Sequence, residues 1–190
     1  MSLFTEEGSY NCVITNEASK LRPRPVKKLL IRLISGHHLP KSADQKIKGN
    51  VIQPYVSLKL RGHVLDEAEF TTEVIPKVRN PESPKRGHLC VALYFQNGFN
   101  PIWESCTEFY LVYPQFTFLE FQVRSVSASS LPQQSNKSAD DPLIGQSILP
   151  FTLLRQGYRH VFLEDEAGHR LTPACLFLHL AVIDCAAQKK

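Results

Sequence analysis

The groups in this 190-residue chain that could catalyse a reaction or hold a metal are 7 histidines, 5 cysteines and 18 acidic residues. His37 and His38 are adjacent, so on an extended segment their rings leave opposite faces and cannot share one ion. Cys12, Cys90, Cys106, Cys175 and Cys185 form no CxxC pair and no zinc spacing with a histidine. Several lie in alternating apolar runs, where a thiol is a small core residue, and their odd number reads as reduced thiols rather than a disulfide frame. His160, after Gly157-Tyr158-Arg159, reads as a structural neighbour of Arg159 and not as an acid or base. The chain has no GxSxG elbow, no phosphate-binding glycine loop and no HExxH. No catalytic residue is assigned, and this chain alone is not read as an enzyme.

What remains is the chemistry of charge. The net charge of +4 is far below that of a dedicated nucleic-acid binder, so no nucleic acid is expected as partner, yet it suits attraction to an anionic membrane surface. The basic residues fall in loops: Lys41, Lys46 and Lys48 in one, Lys137 in another, and Lys77, Arg79, Lys85 and Arg86 in PKVRNPESPKRG, with Arg61 at the end of a strand. For the second cluster a solvated loop is the simpler reading. No apolar run approaches the roughly 20 residues that span a bilayer. The first twelve residues, MSLFTEEGSYNC, lack the basic and apolar regions of a secretory signal, which places the expectation in the cytoplasm, peripheral at the membrane.

These loops must be held by something, and the periodicity says strands. Residues 1–25 show no sustained period and read as a tail or linker, 26–185 as one domain, and 186–190 as a short tail. From Lys28 the pattern has period two, with Leu29, Ile31 and Leu33 on one face. PYVSLKLR repeats it, placing Val56, Leu58 and Leu60 inward and Ser57, Lys59 and Arg61 outward. Further strands are expected over 70–75, 89–95, 107–112, 118–124, 146–149, 160–163 and 174–182, about nine in all by this alternation. PFTLLRQG allows at most two helical turns. The pattern predicts an all-β antiparallel sandwich, whose function resides in the loops at the ends of its sheets. NGFNPIWE, which carries the only tryptophan, Trp103, reads as a sharp corner: Asn-Gly for a positive φ, Asn-Pro for an extended entry, and the indole packed at the core edge.

In order along the chain, LIRLISGHHLP, PYVSLKLRG, NGFNPIWE, PLIGQSILPFTLLRQGYRHVFLED and ACLFLHLAV resemble the C2 domain that closes phosphoinositide-specific phospholipases C. YNCVITNEASKLR looks faintly like the last segment of that family's catalytic barrel. The resemblance implies an eight-stranded antiparallel sandwich whose loops gather at a tip, and a parent enzyme that cleaves a phosphoinositide with residues of a separate barrel. Many such tips hold calcium through aspartates. The family pattern would place them at Asn50, Gln53, Ser125 and Ser127, which are all uncharged here. Only Asp44, Asp140 and Asp141 remain, with Asn97 as a further weak oxygen donor, too few for an ion that takes six to eight oxygens. No cofactor is therefore expected, calcium included.

The implied function is that of a non-catalytic module in lipid signalling, holding its parent at anionic phospholipid through Lys41, Lys46, Lys48 and Lys137, with Leu39, Ile47 and Leu131 as exposed apolar contacts. The alternative is a protein-interaction or bracing module, docked on the catalytic barrel or another protein by a sheet face. Phe177 and His179, outward of Leu176, Leu178 and Leu180, would suit a strand covered on both faces.

Overall fold

The computed structural model describes residues 23–41, 52–75, 98–126 and 141–185. Among them run the strands β1 (Lys27–His37), β2 (Pro54–Arg61), β3 (Ala68–Thr71), β4 (Ile102–Leu111), β5 (Phe118–Ser125), β6 (Leu143–Pro150), β7 (Gly157–Glu164) and β8 (Arg170–Asp184). They lie in the order β3-β2-β5-β6-β7-β8-β1-β4, and every pairing is antiparallel. Between β6 and β7 the ladder thins to the pair Gln146 and Glu164. The sheet folds over there, giving two four-stranded halves face to face.

The alternation that predicted the strands also builds the core. Leu29, Ile31, Leu33, Val56, Leu58, Leu60, Leu119, Phe121, Val123, Leu176, Leu178 and Leu180 are all buried in one cluster between the halves. Burying such a side chain is worth about 1.5–3 kcal/mol, so this shared face is what holds the strands in register. The third predicted strand ends at Thr71 instead of Ile75. Thr72 N still donates to Val56 O at 3.0 Å, but the return bond from Val56 N goes to Thr72 Oγ1 at 3.0 Å instead of its carbonyl, which ends the ladder there. β4 starts at Ile102, well before Thr107, because its inward Ser105 and Thr107 are small and polar and hide the alternation. Ser57, expected in water, is buried, and its hydroxyl donates to Glu69 Oε1 at 2.8 Å. PFTLLRQG forms only a 3₁₀ turn over Phe151–Leu153. The strand expected at 89–95 falls outside the described residues.

Both ends of the domain chain, near Lys27 and Asp184, pair with one another at one end of the sandwich. The opposite, open end gathers the C-termini of β1, β3, β5 and β7 and the N-termini of β2, β4, β6 and β8.

Candidate functional site: the open end of the sandwich

NGFNPIWE is the corner that closes this end against β1. Gly36 N donates to Pro101 O at 2.9 Å, Leu39 N donates to Phe99 O at 2.9 Å, and His38 N donates to Asn100 Oδ1 at 3.0 Å. The glycine of the corner is needed for closeness, not for a positive φ: a Cβ on Gly98 would stand 2.0 Å from Ile52 O. The corner's positive φ falls instead on its last residue, Glu104 (50°), and in the facing segment on His38 (53°). Glu104 sits where β4 bulges against β1, and Arg32 holds its Oε2 from Nε at 3.0 Å and Nη2 at 2.6 Å. Trp103 packs at the core edge as expected, its ring lying so near Gly36 that a Cβ there would meet it at 3.1 Å. Its Nε1 is buried without a hydrogen-bond partner.

A second frame knits β2, β5 and β6. Gln53 N donates to Ser125 Oγ at 3.0 Å, Ser125 N donates to Pro142 O at 3.1 Å, and Val126 N donates to Gln53 O at 3.1 Å. Arg124 Nη1 donates to Asp141 O at 2.7 Å, and Tyr55 donates its hydroxyl to Asp141 Oδ2 at 2.9 Å. Both members of that last pair are buried, at 2% and 5% exposure. Burial first, and the bond to Asp141 second, push the Tyr55 hydroxyl well above the usual tyrosine range. Asp141 is thus a member of the frame, turned inward, and Ser125 is buried and bonded in it.

Several expected site residues change role or escape description. Leu39, expected to be exposed toward lipid, is 2% exposed and belongs to the core cluster, because the bond its N–H donates to Phe99 O in the corner turns it inward. Lys41 stands at the start of the first long loop and is half-buried. Lys46, Lys48, Lys137, Lys77, Arg79, Lys85, Arg86, Asn97 and Asp140 fall outside the described residues, as do Asp44, Asn50, Ser127, Ile47 and Leu131. Arg61 lies at the far end of β2 and faces Glu120 at 3.3 Å.

The outer face of β7, β8 and β1 carries residues that the sequence reading underused. The Tyr158 and Phe177 rings stack at 5.8 Å, Tyr158 meets His179 edge-on at 4.7 Å, and His160 lies 4.9 Å from Phe177. His160 therefore belongs with rings across the sheet, while Arg159 turns to the carbonyls of Tyr158 and Gln156. His37 is 6.2 Å from His160, and its Nε2 is 3.0 Å from Ser35 Oγ. Burial chiefly, then His160 and His38, hold His37 below the usual histidine range. Cys106 on β4 is exposed, Cys175 is buried with its thiol pushed up by burial, and Cys185 is intermediate. No helix among the described residues is long and apolar enough to cross a membrane.

Comparison with known proteins places this geometry. The C2 domain family matches residues 27–83 and 91–163. The chain is 34% identical over 155 residues to 1-phosphatidylinositol 4,5-bisphosphate phosphodiesterase delta-3-A of Danio rerio, covering 82% of this chain and 16% of that protein. It is 33% identical over 158 residues to the delta-1 enzyme of Homo sapiens (83% and 17%), and 31% identical over 154 residues to the human Inactive phospholipase C-like protein 2 (81% and 11%). The chain therefore spans less than a fifth of the length of these relatives. Among solved structures, S. officinalis PLC21 superposes with a TM-score of 0.59 at 20% identity, over 86% of this chain and 16% of that one. A C2 domain of plant Extended Synaptotagmin 1 does so with 0.54 at 17% identity, over 85% and 97%. The chain belongs to the C2 domain family, and its sequence similarity is to the phosphoinositide phospholipases C and their inactive relatives.

Proposed function

We propose that this C2 domain holds a phospholipase C-like polypeptide at anionic membrane surfaces through its open end, and does so without a complete calcium site. The observation that carries the reading is the Tyr55–Asp141 bond. It turns into the protein the only carboxylate described at the root of the loops between β1 and β2 and between β5 and β6. Calcium takes six to eight oxygens, several of them carboxylates, and here the matching positions are amide or hydroxyl side chains, of which Ser125 already serves the frame. A tip poor in acid and carrying Lys41, with Lys46, Lys48 and Lys137 in its loops, attracts anionic lipid directly, at about 1 kcal/mol for each basic residue near the surface. The parent's phosphoinositide hydrolysis, if this chain is part of an active enzyme, is the work of other segments. Lipid signalling at the cytoplasmic leaflet is the context this reading implies.

The test is co-sedimentation of the purified chain with phosphatidylcholine liposomes, with and without phosphatidylserine, with and without calcium, at low and high salt. Calcium-independent binding to the anionic liposomes that weakens with salt is expected, since exposed charges are screened. Binding only with calcium would overturn the reading.

A second reading, intramolecular bracing against a catalytic barrel, is favoured by the outer face of β7 and β8. There Tyr158 and Phe162 are 59% and 45% exposed beside Phe177. It expects no liposome binding under any of these conditions.

A further inference from the structure

We infer that residues 1–22 of this chain seat Tyr10, Val13 and Ile14 in an apolar groove at the end of the sandwich where Lys27 and Asp184 pair. This goes beyond the membrane reading and does not rest on it. The docked segment holds the polypeptide leading into the domain at the end opposite the long loops.

Three connections make this end, and all three are described throughout. The β2–β3, β4–β5 and β6–β7 connections each carry a 3₁₀ turn, over Val64–Asp66, Pro114–Phe116 and Phe151–Leu153. They are locked together. The buried Asp66 carboxylate accepts from Val112 N and Tyr113 N, each at 2.7 Å, and Phe151 N donates to Thr117 O at 2.8 Å. Gly62, at a φ of 135°, lets the Phe116 carbonyl come so near that a Cβ would stand 2.0 Å from its oxygen. On this rigid frame Val64, Leu65, Phe116 and Leu153 are 77%, 53%, 59% and 74% exposed. Apolar side chains scattered singly need no explanation, but several held out on neighbouring turns mark a docking surface.

Beside the second and third turns lies a groove of about 380 Å³, lined by Lys27, Pro114, Phe151, Thr152, Leu154 and Val182. Phe151, Leu154 and Val182 also pack on the core cluster, which fixes the groove in shape. Lys27 pairs with Asp184, and Arg61 with Glu120, so the described ion pairs of this end leave no cluster of one sign. Such a surface fits apolar side chains of a polypeptide rather than anionic lipid.

The tether decides which polypeptide. Val26 N donates to Leu111 O at 2.7 Å and Val26 O accepts from Cys185 N at 2.9 Å, so the chain enters the domain beside the groove, and the next residue, Lys27, lines it. Ile14 is 13 residues from Lys27, a reach of up to about 45 Å when extended. A segment joined this closely acts at an effective concentration of about millimolar, ahead of any free protein. Its densest apolar stretch is Tyr10-Asn11-Cys12-Val13-Ile14. Residues 1–22 are far too few to form the barrel whose last segment they faintly resemble, so within this chain they bury apolar surface on this domain.

The experiment is hydrogen exchange, read by mass spectrometry on the whole chain, for the wild type and for Val13→Asp with Ile14→Asp. It is joined by mild oxidation of Thr152→Cys and of Arg170→Cys, both with Cys185→Ser so that this neighbouring thiol does not compete. Amides of residues 10–14 and 151–156 are expected to exchange at least about tenfold more slowly in the wild type than in the double variant, with β2 and β5 unchanged. Cys12 is expected to cross-link to position 152 and not to position 170, which begins β8 at the opposite end. Residues 10–14 exchanging as a free chain in the wild type overturn the inference, as does protection that the double variant keeps. Protection that grows with protein concentration assigns the groove to a second copy, and protection gained only with phosphatidylserine vesicles assigns it to lipid; both overturn it. Where the double variant also loses protection in β2 and β5, the cross-link decides, and its absence at position 152 overturns the inference.

Discussion

Removing one oxygen, in Tyr55→Phe, tests whether Asp141 belongs to the frame of the open end. The tyrosine hydroxyl is 2.9 Å from Asp141 Oδ2, with both residues buried, so its loss takes a donor from a desolvated carboxylate. A hydrogen bond to a charged acceptor is worth about 1.5–3 kcal/mol, and we expect Tyr55→Phe to cost about 2 kcal/mol, or about 4–8 °C in melting temperature for a chain of this size. Asp141→Asn keeps an oxygen that can accept from the phenol, and about half that cost is expected. The double variant should be less destabilised than the sum of the singles by about 1 kcal/mol, the mark of a direct pair. The sign of the pH dependence follows from the same burial. The folded Tyr55 keeps its proton above the usual tyrosine value while the unfolded one loses it, so this contribution is present below about pH 10 and is lost as pH rises beyond it. Tyr55→Phe should flatten that alkaline loss. The assay is thermal unfolding by circular dichroism from neutral to alkaline pH, with and without calcium. A melting temperature unchanged in Tyr55→Phe would refute the pair. So would a calcium-induced rise in the wild type that Asp141→Asn abolishes, since the carboxylate would then serve an ion.

Other outcomes follow from single residues. Gly98→Ala puts a methyl group 2.0 Å from Ile52 O, and forcing the corner open should cost about 1–3 kcal/mol, read as a lowered denaturation midpoint. Trp103→Phe removes a buried N–H that has no partner, so the relief offsets much of the lost packing, and urea unfolding should show a loss under about 1.5 kcal/mol. His37 is held below its unfolded value, so its contribution to stability is full above about pH 6.5 and is lost as pH falls; melting curves of His37→Gln should be less acid-sensitive than those of the wild type.

The strands were legible in the order of residues because period two is a property of the chain itself. Leu29, Ile31, Leu33 and Val56, Leu58, Leu60 declare a buried face wherever the partners lie. The corner at NGFNPIWE, with its tryptophan at the core edge, was legible in the same way. What local order could not carry was anything set by a partner distant in sequence. Leu39 reads as a loop residue free to meet lipid, and only the bond from its N–H to Phe99, sixty residues on, turns it into the core. Asp141 reads as a stray acid, and only β2, bringing Tyr55 across 86 positions, makes it a buried acceptor. Gly98 reads as a turn glycine, but the demand on it is the approach of Ile52 O. His37 and His160 meet only because β8 lies between their strands in the sheet. Periodicity reports which face of a strand seeks the core, whereas the partner that each polar group finds is decided by which strands lie side by side.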